Sequence, residues 1–302
     1  MSYAPIALFV YNRPEHTQKV LAALAGNFLA KDSELFVFSD GSKDTEDSRQ
    51  KVLAVRQLLK KISGFKAVQI IEREKNFGLA ASIISGVTDL VKRFGRVIVL
   101  EDDLITSPYF LEYLNTGLDL YEQEEQVISL HGYMYPVKAE LPETFFIKGA
   151  DCWGWATWKR GWDLFEADGR KLLQVIEDKK LTKEFDLGGA YPYTLMLRSQ
   201  IKGLNNSWAI RWYASAFISN KLTLYPKKSL VAQIGFDNSG THGGRNNMFQ
   251  TELYQAKIIM NKITSAENLP ARRALEKFFK LPPNRLKIFL SKCKNYWRYI
   301  LS

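Results

Sequence analysis

The chain has 302 residues, of which 46% are hydrophobic and 25% are charged, which is enough for one α/β enzyme core with a small addition. No apolar run reaches the roughly 18 residues of a transmembrane helix, and the run at residues 6–10 is too short for a signal peptide. The two cysteines, Cys152 and Cys293, match no zinc or redox spacing. We therefore expect reduced thiols and a cytoplasmic protein.

The formal net charge of +10 is unevenly distributed. Residues 251–302 hold eleven Lys or Arg residues and three Glu residues, so this segment contributes +8 and the rest is nearly neutral. A nucleic-acid enzyme would more often line its main groove with positive charge, so we expect no nucleic-acid partner. The tail at 285–301 alternates apolar and basic residues, which is typical of a helix lying on an anionic membrane surface. A helix packed on the core with a basic outer face is the alternative.

Strand and helix patterns alternate strictly over the first hundred residues. The four apolar runs that predict buried strands are residues 6–11, 35–39, 68–72 and 97–100. The amphipathic segments that predict helices are residues 15–29, 45–61 and 79–93. In the first helix, Val20, Leu21, Leu24 and Phe28 share the predicted buried face. This order predicts an α/β fold with a mostly parallel sheet flanked by helices.

Polar residues follow each predicted strand, at the sheet edge where such folds bind their ligands. They are Asn12 and Arg13, Asp40, Asn76, and the run from Glu101 to Asp103. Carboxylate oxygens suit Mg²⁺ or Mn²⁺, which complete their shell with water and ligand phosphates. Helix capping and turn formation are the alternative explanation for each residue taken alone.

The phosphate-binding motifs of two large nucleotide-binding classes are missing. The sequence has no Gly-x-Gly-x-x-Gly after its first predicted strand and no Gly-x-x-x-x-Gly-Lys-Ser/Thr. Phosphates would then be held in another way. A divalent cation on Asp103, with Arg13 nearby, would supply the positive charge.

Four of these segments together resemble a GT-A glycosyltransferase, the Rossmann-like nucleotide-sugar fold of glycosyltransferase family 2 and its relatives. The segments are residues 7–14, 39–42, 74–79 and 100–103, and the resemblance covers about residues 4–245. Leu100-Glu101-Asp102-Asp103 matches the Glu-Asp-Asp form of the Asp-x-Asp motif, as in N-acetylglucosaminyltransferase I and similar bacterial sugar transferases.

The resemblance implies roles for the residues at the sheet edge. Asp40 would read the nucleotide base, and Arg13 and Asn76 would line the nucleotide pocket. Asp102 would face the ribose or the sugar. Asp103 would bind the metal that bridges the diphosphate.

A second set of candidates lies in the Gly- and Trp-rich segment 149–158, which neither helical nor strand periodicity explains. Trp153 and Trp155 are candidates for contact with the donor or acceptor sugar, because indole rings suit the C–H faces of a pyranose. The alternative is a core cluster that anchors the loop, since Trp is highly buried on average.

The relatives carry an acidic catalytic base near the position of Ala209, where this chain has no carboxylate. Asp151 and Asp237 are the alternative candidates, and loss of activity is a third possibility. The resemblance also implies that His242, in the Gly-rich segment 235–244, joins the metal. A solvated loop histidine is the alternative.

The predicted protein is a metal-dependent glycosyltransferase with Mn²⁺ or Mg²⁺ that moves a sugar, with inversion, from a UDP-sugar to a saccharide hydroxyl. The acceptor could be lipid-linked at the inner membrane face, in surface polysaccharide assembly. The predicted division is a GT-A domain at 1–250, with a nucleotide half at 1–105 and an acceptor half at 106–250, followed by a basic helical tail at 251–302. A sugar nucleotidyltransferase and a non-catalytic saccharide-binding or membrane scaffold are the alternatives.

Overall fold

The computed structural model describes residues 3–236 and 247–280. Within them, the strands are β1 (Ile6–Val10), β2 (Glu34–Ser39), β3 (Ala67–Glu72), β4 (Arg96–Glu101), β5 (Leu104–Thr106), β6 (Val127–His131), β7 (Thr144–Lys148), β8 (Trp155–Trp158), β9 (Leu222–Pro226) and β10 (Val231–Gln233). The α-helices of this part are α1 (Pro14–Ala25), α2 (Glu46–Leu59), α3 (Leu79–Phe94), α4 (Phe110–Leu120), α5 (Lys159–Trp162), α6 (Gly169–Asp178), α7 (Thr182–Phe185), α8 (Tyr193–Ile201), α9 (Trp208–Ile218) and α10 (Leu269–Phe279).

Eight of the described strands form one sheet in the order β3-β2-β1-β4-β8-β6-β9-β7. The first four pair in parallel, as do β6 and β9, whereas β8 runs antiparallel to both neighbours and β7 runs antiparallel to β9. Strands β5 and β10 form a separate antiparallel pair. The predicted α/β fold with a mostly parallel sheet flanked by helices is confirmed.

The centre of the sheet is apolar on both faces, as expected for parallel strands covered by helices. All five residues of β1 are buried, and so are the four middle residues of β4. Strand β3 differs from the prediction of a buried strand. It is an edge strand whose residues are exposed or half-buried, because β2 is its partner on one side only.

The first helix is shorter than its apolar pattern predicts. Helix α1 ends at Ala25, and Gly26 follows as its C-cap. Phe28 therefore lies outside the helix and is 61% exposed, so its prediction as a buried-face residue was wrong. Its ring instead contacts Tyr109, with 4.7 Å between the ring centroids. Helix α2 follows its pattern closely, because the Thr45 side chain caps it by accepting from the backbone N–H of Ser48.

The Trp-rich segment forms part of the central sheet, where the sequence pattern predicted no strand. Strand β8 is inserted between β4 and β6, and all four of its residues are buried. Alternation of apolar and polar residues is absent because both faces of β8 meet the core. Its Trp155 has no exposed surface and packs against Trp208, with 5.5 Å between the ring centroids.

The described part of the C-terminal segment packs on the sheet domain. Residues 251–268 run mostly without regular structure, and the backbone N–H of Tyr254 donates to the carbonyl of Ser229. Helix α10 buries Ala271, Leu275 and Phe279 against the core. Residues 281–302, which include the predicted membrane helix, lie outside the described residues. No helix in the described part is long and apolar enough to cross a membrane.

Candidate active site

The carboxyl ends of β1 and β4, which are adjacent parallel strands, bring Arg13 to the three acidic residues. The Arg13 guanidinium donates to Asp102 Oδ1 and lies 3.0 Å from Asp103 Oδ2. The backbone N–H of Tyr11 also donates to Asp102, at 3.3 Å. We call Arg13, Glu101, Asp102 and Asp103 the acidic corner. The structure thus brings together the charged residues that the sequence placed at this edge.

Burial governs the electrostatics of the acidic corner. It raises the pKa of Glu101 to about 8, and the charges of Asp103 and Asp102 add to this effect. Burial also raises the pKa of Asp102 to about 6, although Arg13 opposes this. Burial disfavours the charged form of Arg13 too, but the two aspartates outweigh it and raise the Arg13 pKa. A cation is therefore strongly favoured beside these carboxylates.

Gly235, which follows β10, lies close to Asp103. The backbone N–H of Ile234 donates to the carbonyl of Asp103 at 2.9 Å, which continues the pairing of β5 with β10. A Cβ atom added to Gly235 would lie 2.4 Å from Asp103 Oδ2 and 3.1 Å from Arg13 Nη1. Any larger residue would therefore fill the space next to the carboxylate. The contact between Gly235 and Asp103 could not be predicted, because nothing local in the sequence links the two residues.

Asp40 holds the loop between β3 and α3. Its Oδ1 accepts from the backbone N–H groups of Gly41 and Phe77, at 2.9 and 2.8 Å. Its Oδ2 accepts from the backbone N–H of Gly78 at 2.9 Å and from the Asn76 amide at 3.2 Å. A carboxylate offers about four acceptor positions, so this set uses its capacity. A nucleotide base that donated to Asp40 would have to replace one of these bonds.

Asn76 and Gly41 belong to the same hydrogen-bonded group around Asp40, which we call the Asp40 clasp. The Asn76 amide also donates to the carbonyl of Gly41, at 2.8 Å. A Cβ atom on Gly41 would lie 2.4 Å from the backbone carbon of Lys75, so only glycine allows the two loops this close. Asp40, Gly41 and Asn76 therefore shape the end of the pocket through contacts with each other.

Asp151 lies in the loop before β8 and is held by three donors. Its Oδ2 accepts from the hydroxyls of Tyr135 and Tyr225, at 2.7 and 3.2 Å. Its Oδ1 accepts from the backbone N–H of Cys152 at 2.8 Å, and its side chain is 17% exposed. One acceptor position on Oδ1 is left. Tyr135 and Tyr225 come from distant segments, so their contacts with Asp151 could not be predicted from the sequence.

The same loop lies within electrostatic reach of the acidic corner. Burial raises the pKa of the Cys152 thiol, and nearby negative charges add to the shift. Those charges include Glu101 and Asp103 as well as the adjacent Asp151. The loop that carries Cys152 and Asp151 therefore lies near the acidic corner.

The two predicted sugar-contacting tryptophans have different environments. Trp153 is half-buried and lies beside Phe236, with 5.9 Å between the ring centroids, next in the chain to Gly235. Its backbone N–H donates to Nε2 of the buried His131, at 3.1 Å. Trp155 is enclosed by Trp162, Trp208 and Trp212. Because Trp155 has no exposed surface, the structure gives it a packing role and corrects its prediction as a ligand contact.

Two predicted site residues, Asp237 and His242, lie outside the described residues. Near the position where the relatives carry their base, helix α9 begins at Trp208 after the Ser207 N-cap. Ala209 packs partly against the core, so the described part of this helix start offers no carboxylate.

The acidic corner fits a divalent cation that takes few ligands from the protein. No group of three or more His, Cys, Asp or Glu side chains that could hold a metal occurs among residues 3–236 and 247–280. Mg²⁺ and Mn²⁺ sites commonly use one or two carboxylates, with water and ligand phosphates completing the shell. Asp103, whose carboxylate is 13% exposed at the carboxyl end of β4, meets that requirement.

A family model matches the first part of the chain, and two solved structures align with it at low similarity. Residues 6–132 match the sequence model of the family described as "Glycosyl transferase family 2". The mannosyltransferase PcManGT from Pyrobaculum calidifontis, solved in complex with GDP-Man and Mn²⁺, aligns at 15% identity with a TM-score of 0.30. That alignment covers 43% of this chain and 35% of the mannosyltransferase. S. aureus TarS aligns at 13% identity with a TM-score of 0.39, covering 77% of this chain and 37% of TarS. No curated protein sequence matches.

The family match includes β1 to β4 and the acidic corner. Together with the mostly parallel sheet, this match over residues 6–132 supports a glycosyltransferase fold of the GT-A type. The prediction of the fold is thereby confirmed, and the family match supports the predicted enzyme class.

Proposed function

We propose that this chain is a metal-dependent transferase that moves a sugar, with inversion, from a UDP-sugar to a saccharide hydroxyl. The observation that carries the proposal is the acidic corner, where Asp103 lies at the carboxyl end of β4 beside Arg13. Mg²⁺ or Mn²⁺ bound at Asp103 would neutralise charge on the departing diphosphate. Arg13 would pair with phosphate oxygens, since a guanidinium binds them in a bidentate manner.

The protein groups around the pocket would orient the donor. Asp40 and Asn76 would shape the base end through their clasp, and Asp102 would face the ribose or the sugar. Trp153 would offer a ring face to the sugar, and His242 would join the metal. The assignments of Asp40, Asn76 and Asp102 rest on their positions at the sheet edge and on the family resemblance. That of His242 rests on the resemblance alone, and that of Trp153 on the chemistry of its ring.

We propose Asp151 as the group that takes the proton from the acceptor hydroxyl, with Asp237 as the second candidate. Asp151 is partly exposed, and its Oδ1 accepts only one of the hydrogen bonds described for it, with Nε2 of His131 3.7 Å away. The hydroxyls of Tyr135 and Tyr225 fix its orientation. A base must reach the hydroxyl directly or through one water, which this loop allows from its place near the acidic corner.

The cellular setting that we propose is surface polysaccharide assembly at the cytoplasmic face of a membrane, with a lipid-linked acceptor. The net charge of +8 on residues 251–302 supports this idea. Full-length protein should sediment with anionic liposomes, and a chain that ends at residue 281 should not. Equal sedimentation of both chains would contradict the membrane role.

Calorimetry with UDP and Mn²⁺ tests the donor site. Asp103→Asn should remove the Mn²⁺-dependent part of UDP binding while the thermal melting curve stays unchanged. Asp163→Asn is the matched control, because Asp163 is an exposed residue paired with Lys159. Unchanged UDP affinity of Asp103→Asn in Mn²⁺ would contradict the proposal. The same titration with GDP tests the choice of nucleotide.

Slow hydrolysis of the donor without acceptor tests the reaction class. A glycosyltransferase should release nucleoside diphosphate from a UDP-sugar in Mn²⁺, and a scaffold should not. Asp151→Asn and Asp237→Asn should be compared with the parent for transfer to added saccharides. Loss of about 10²-fold or more in kcat, with KM retained, would identify the base. Release of pyrophosphate from a sugar phosphate and nucleoside triphosphate would instead indicate a nucleotidyltransferase.

A further inference from the structure

Arg13 occupies the place where a divalent cation would meet the carboxylates. Its guanidinium contacts both Asp102 and Asp103, as a bridging metal ion could. The side chain of Arg13 is 17% exposed, that of Asp102 is 5% exposed and that of Asp103 is 13% exposed. Water therefore screens their charges weakly. In the protein alone, the guanidinium is therefore the cation that balances the aspartates.

The backbone of Arg13 is fixed, and its guanidinium occupies the surroundings of Asp103 Oδ2. The Arg13 carbonyl accepts from the backbone N–H and the hydroxyl of Thr17, both at 2.9 Å, and Pro14 begins α1 directly after it. Gly235 lies close on the other side, since its Cβ position would be 2.4 Å from Asp103 Oδ2 and 3.1 Å from Arg13 Nη1. A metal ion on this oxygen would therefore require the guanidinium to move aside.

We infer that Arg13 is a stand-in cation that makes metal binding depend on the nucleotide, an inference that rests on the proposed function. Without a nucleoside diphosphate, a metal at Asp103 would lie beside the guanidinium and be repelled. A diphosphate gives the guanidinium a new bidentate partner, which frees Asp103 for the metal. Metal and nucleotide then strengthen each other's binding, because such coupling is reciprocal.

The test is the affinity for Mn²⁺, measured from the electron paramagnetic resonance signal of the free ion. Each protein is titrated with MnCl₂ alone, with MnCl₂ and UDP, and with MnCl₂ and GDP. The parent should bind Mn²⁺ weakly alone and more tightly with a nucleotide. Arg13→Met should bind Mn²⁺ alone about tenfold or more tightly than the parent, because the repelling charge is gone. Its gain from the nucleotide should shrink.

Two further variants keep the test valid if Arg13→Met folds poorly. Arg13→Lys keeps the charge without the bidentate geometry and should bind Mn²⁺ alone nearly as weakly as the parent. The double variant Arg13→Met with Asp102→Asn removes the buried charge that would lose its partner, and it is compared with Asp102→Asn alone. Melting curves establish which variants are folded.

The outcomes separate this inference from the proposed function. If Asp103→Asn abolishes nucleotide-dependent Mn²⁺ binding but removal of the Arg13 charge leaves Mn²⁺ affinity unchanged or weaker, the stand-in role is overturned and the metal site stands. If no folded protein shows Mn²⁺ binding that depends on Asp103, the proposed metal-dependent function itself is contradicted, and the role of Arg13 falls with it.

Discussion

The Asp40 clasp gives the sharpest prediction about stability. Asp40 is 5% exposed, and Asp40→Ala would leave three backbone N–H groups and the Asn76 amide without this acceptor. A hydrogen bond to a charged group contributes about 1.5–3 kcal/mol net. Water can replace part of the set, since neighbouring Phe77 is 52% exposed. We therefore expect a loss of about 3–5 kcal/mol in the free energy of unfolding, out of a typical total of about 5–15 kcal/mol.

Urea unfolding followed by tryptophan fluorescence measures this change, and the chain has seven tryptophans to report it. Asp44→Ala is the matched control, because its fully exposed side chain pairs only with the exposed Arg49 among the contacts described for it. That variant should stay within about 0.5 kcal/mol of the parent. If Asp40→Ala also stays within about 0.5 kcal/mol, the clasp contributes little, and Asp40 would be free to bind a base directly.

Three further predictions concern the acidic corner, the C-terminal helix and the tryptophan cluster. The pKa of Glu101 is raised from 4.5 to about 8, so its contribution to stability is complete below pH 4.5 and is lost as the pH rises through about 8. Glu101→Gln should flatten the fall in Tm between pH 5 and 9 in EDTA, and an unchanged slope would contradict the shift. Arg272→Met should destabilise the protein by about 2–3 kcal/mol and expose α10 to limited proteolysis, because the buried guanidinium bonds Glu267, Glu276 and the carbonyl of Glu184. The exposed Arg273→Met serves as its control, and equal digestion of the two would refute this anchoring role. Trp155→Ala should cost about 3–5 kcal/mol in urea unfolding, and a loss no greater than that of Trp153→Ala would count against its core position.

Much of the nucleotide half could be predicted because its signals are local. The apolar runs and helical periodicities predicted β1 to β4, α2 and α3 nearly at their observed bounds, whereas α1 ends earlier than predicted. The polar residues after β1 and β4 were correctly expected to meet, since parallel strands end at the same edge.

The remaining features depend on contacts between distant residues. Gly235 reaches Asp103 only through the pairing of β10 with β5, and Tyr225 reaches Asp151 from 74 positions along the chain. Strand β8 escaped detection because full burial removes the alternating pattern that marks a half-exposed strand. The hydrogen bonds around Asp40 could not be predicted, because its donors belong partly to another loop.

The insertion of β8 between β4 and β6 has a consequence for protein engineering. Strand β4, which ends at the acidic corner, pairs on one side with β8. Strand β8 lies beyond residue 132, where the family match stops. An excised nucleotide-binding fragment would expose the bare edge of β4 together with the Trp155 surface, and such edges invite aggregation. Chimeras that exchange acceptor preference should therefore cross over in surface loops downstream of β8, so that β4 and β8 come from the same parent.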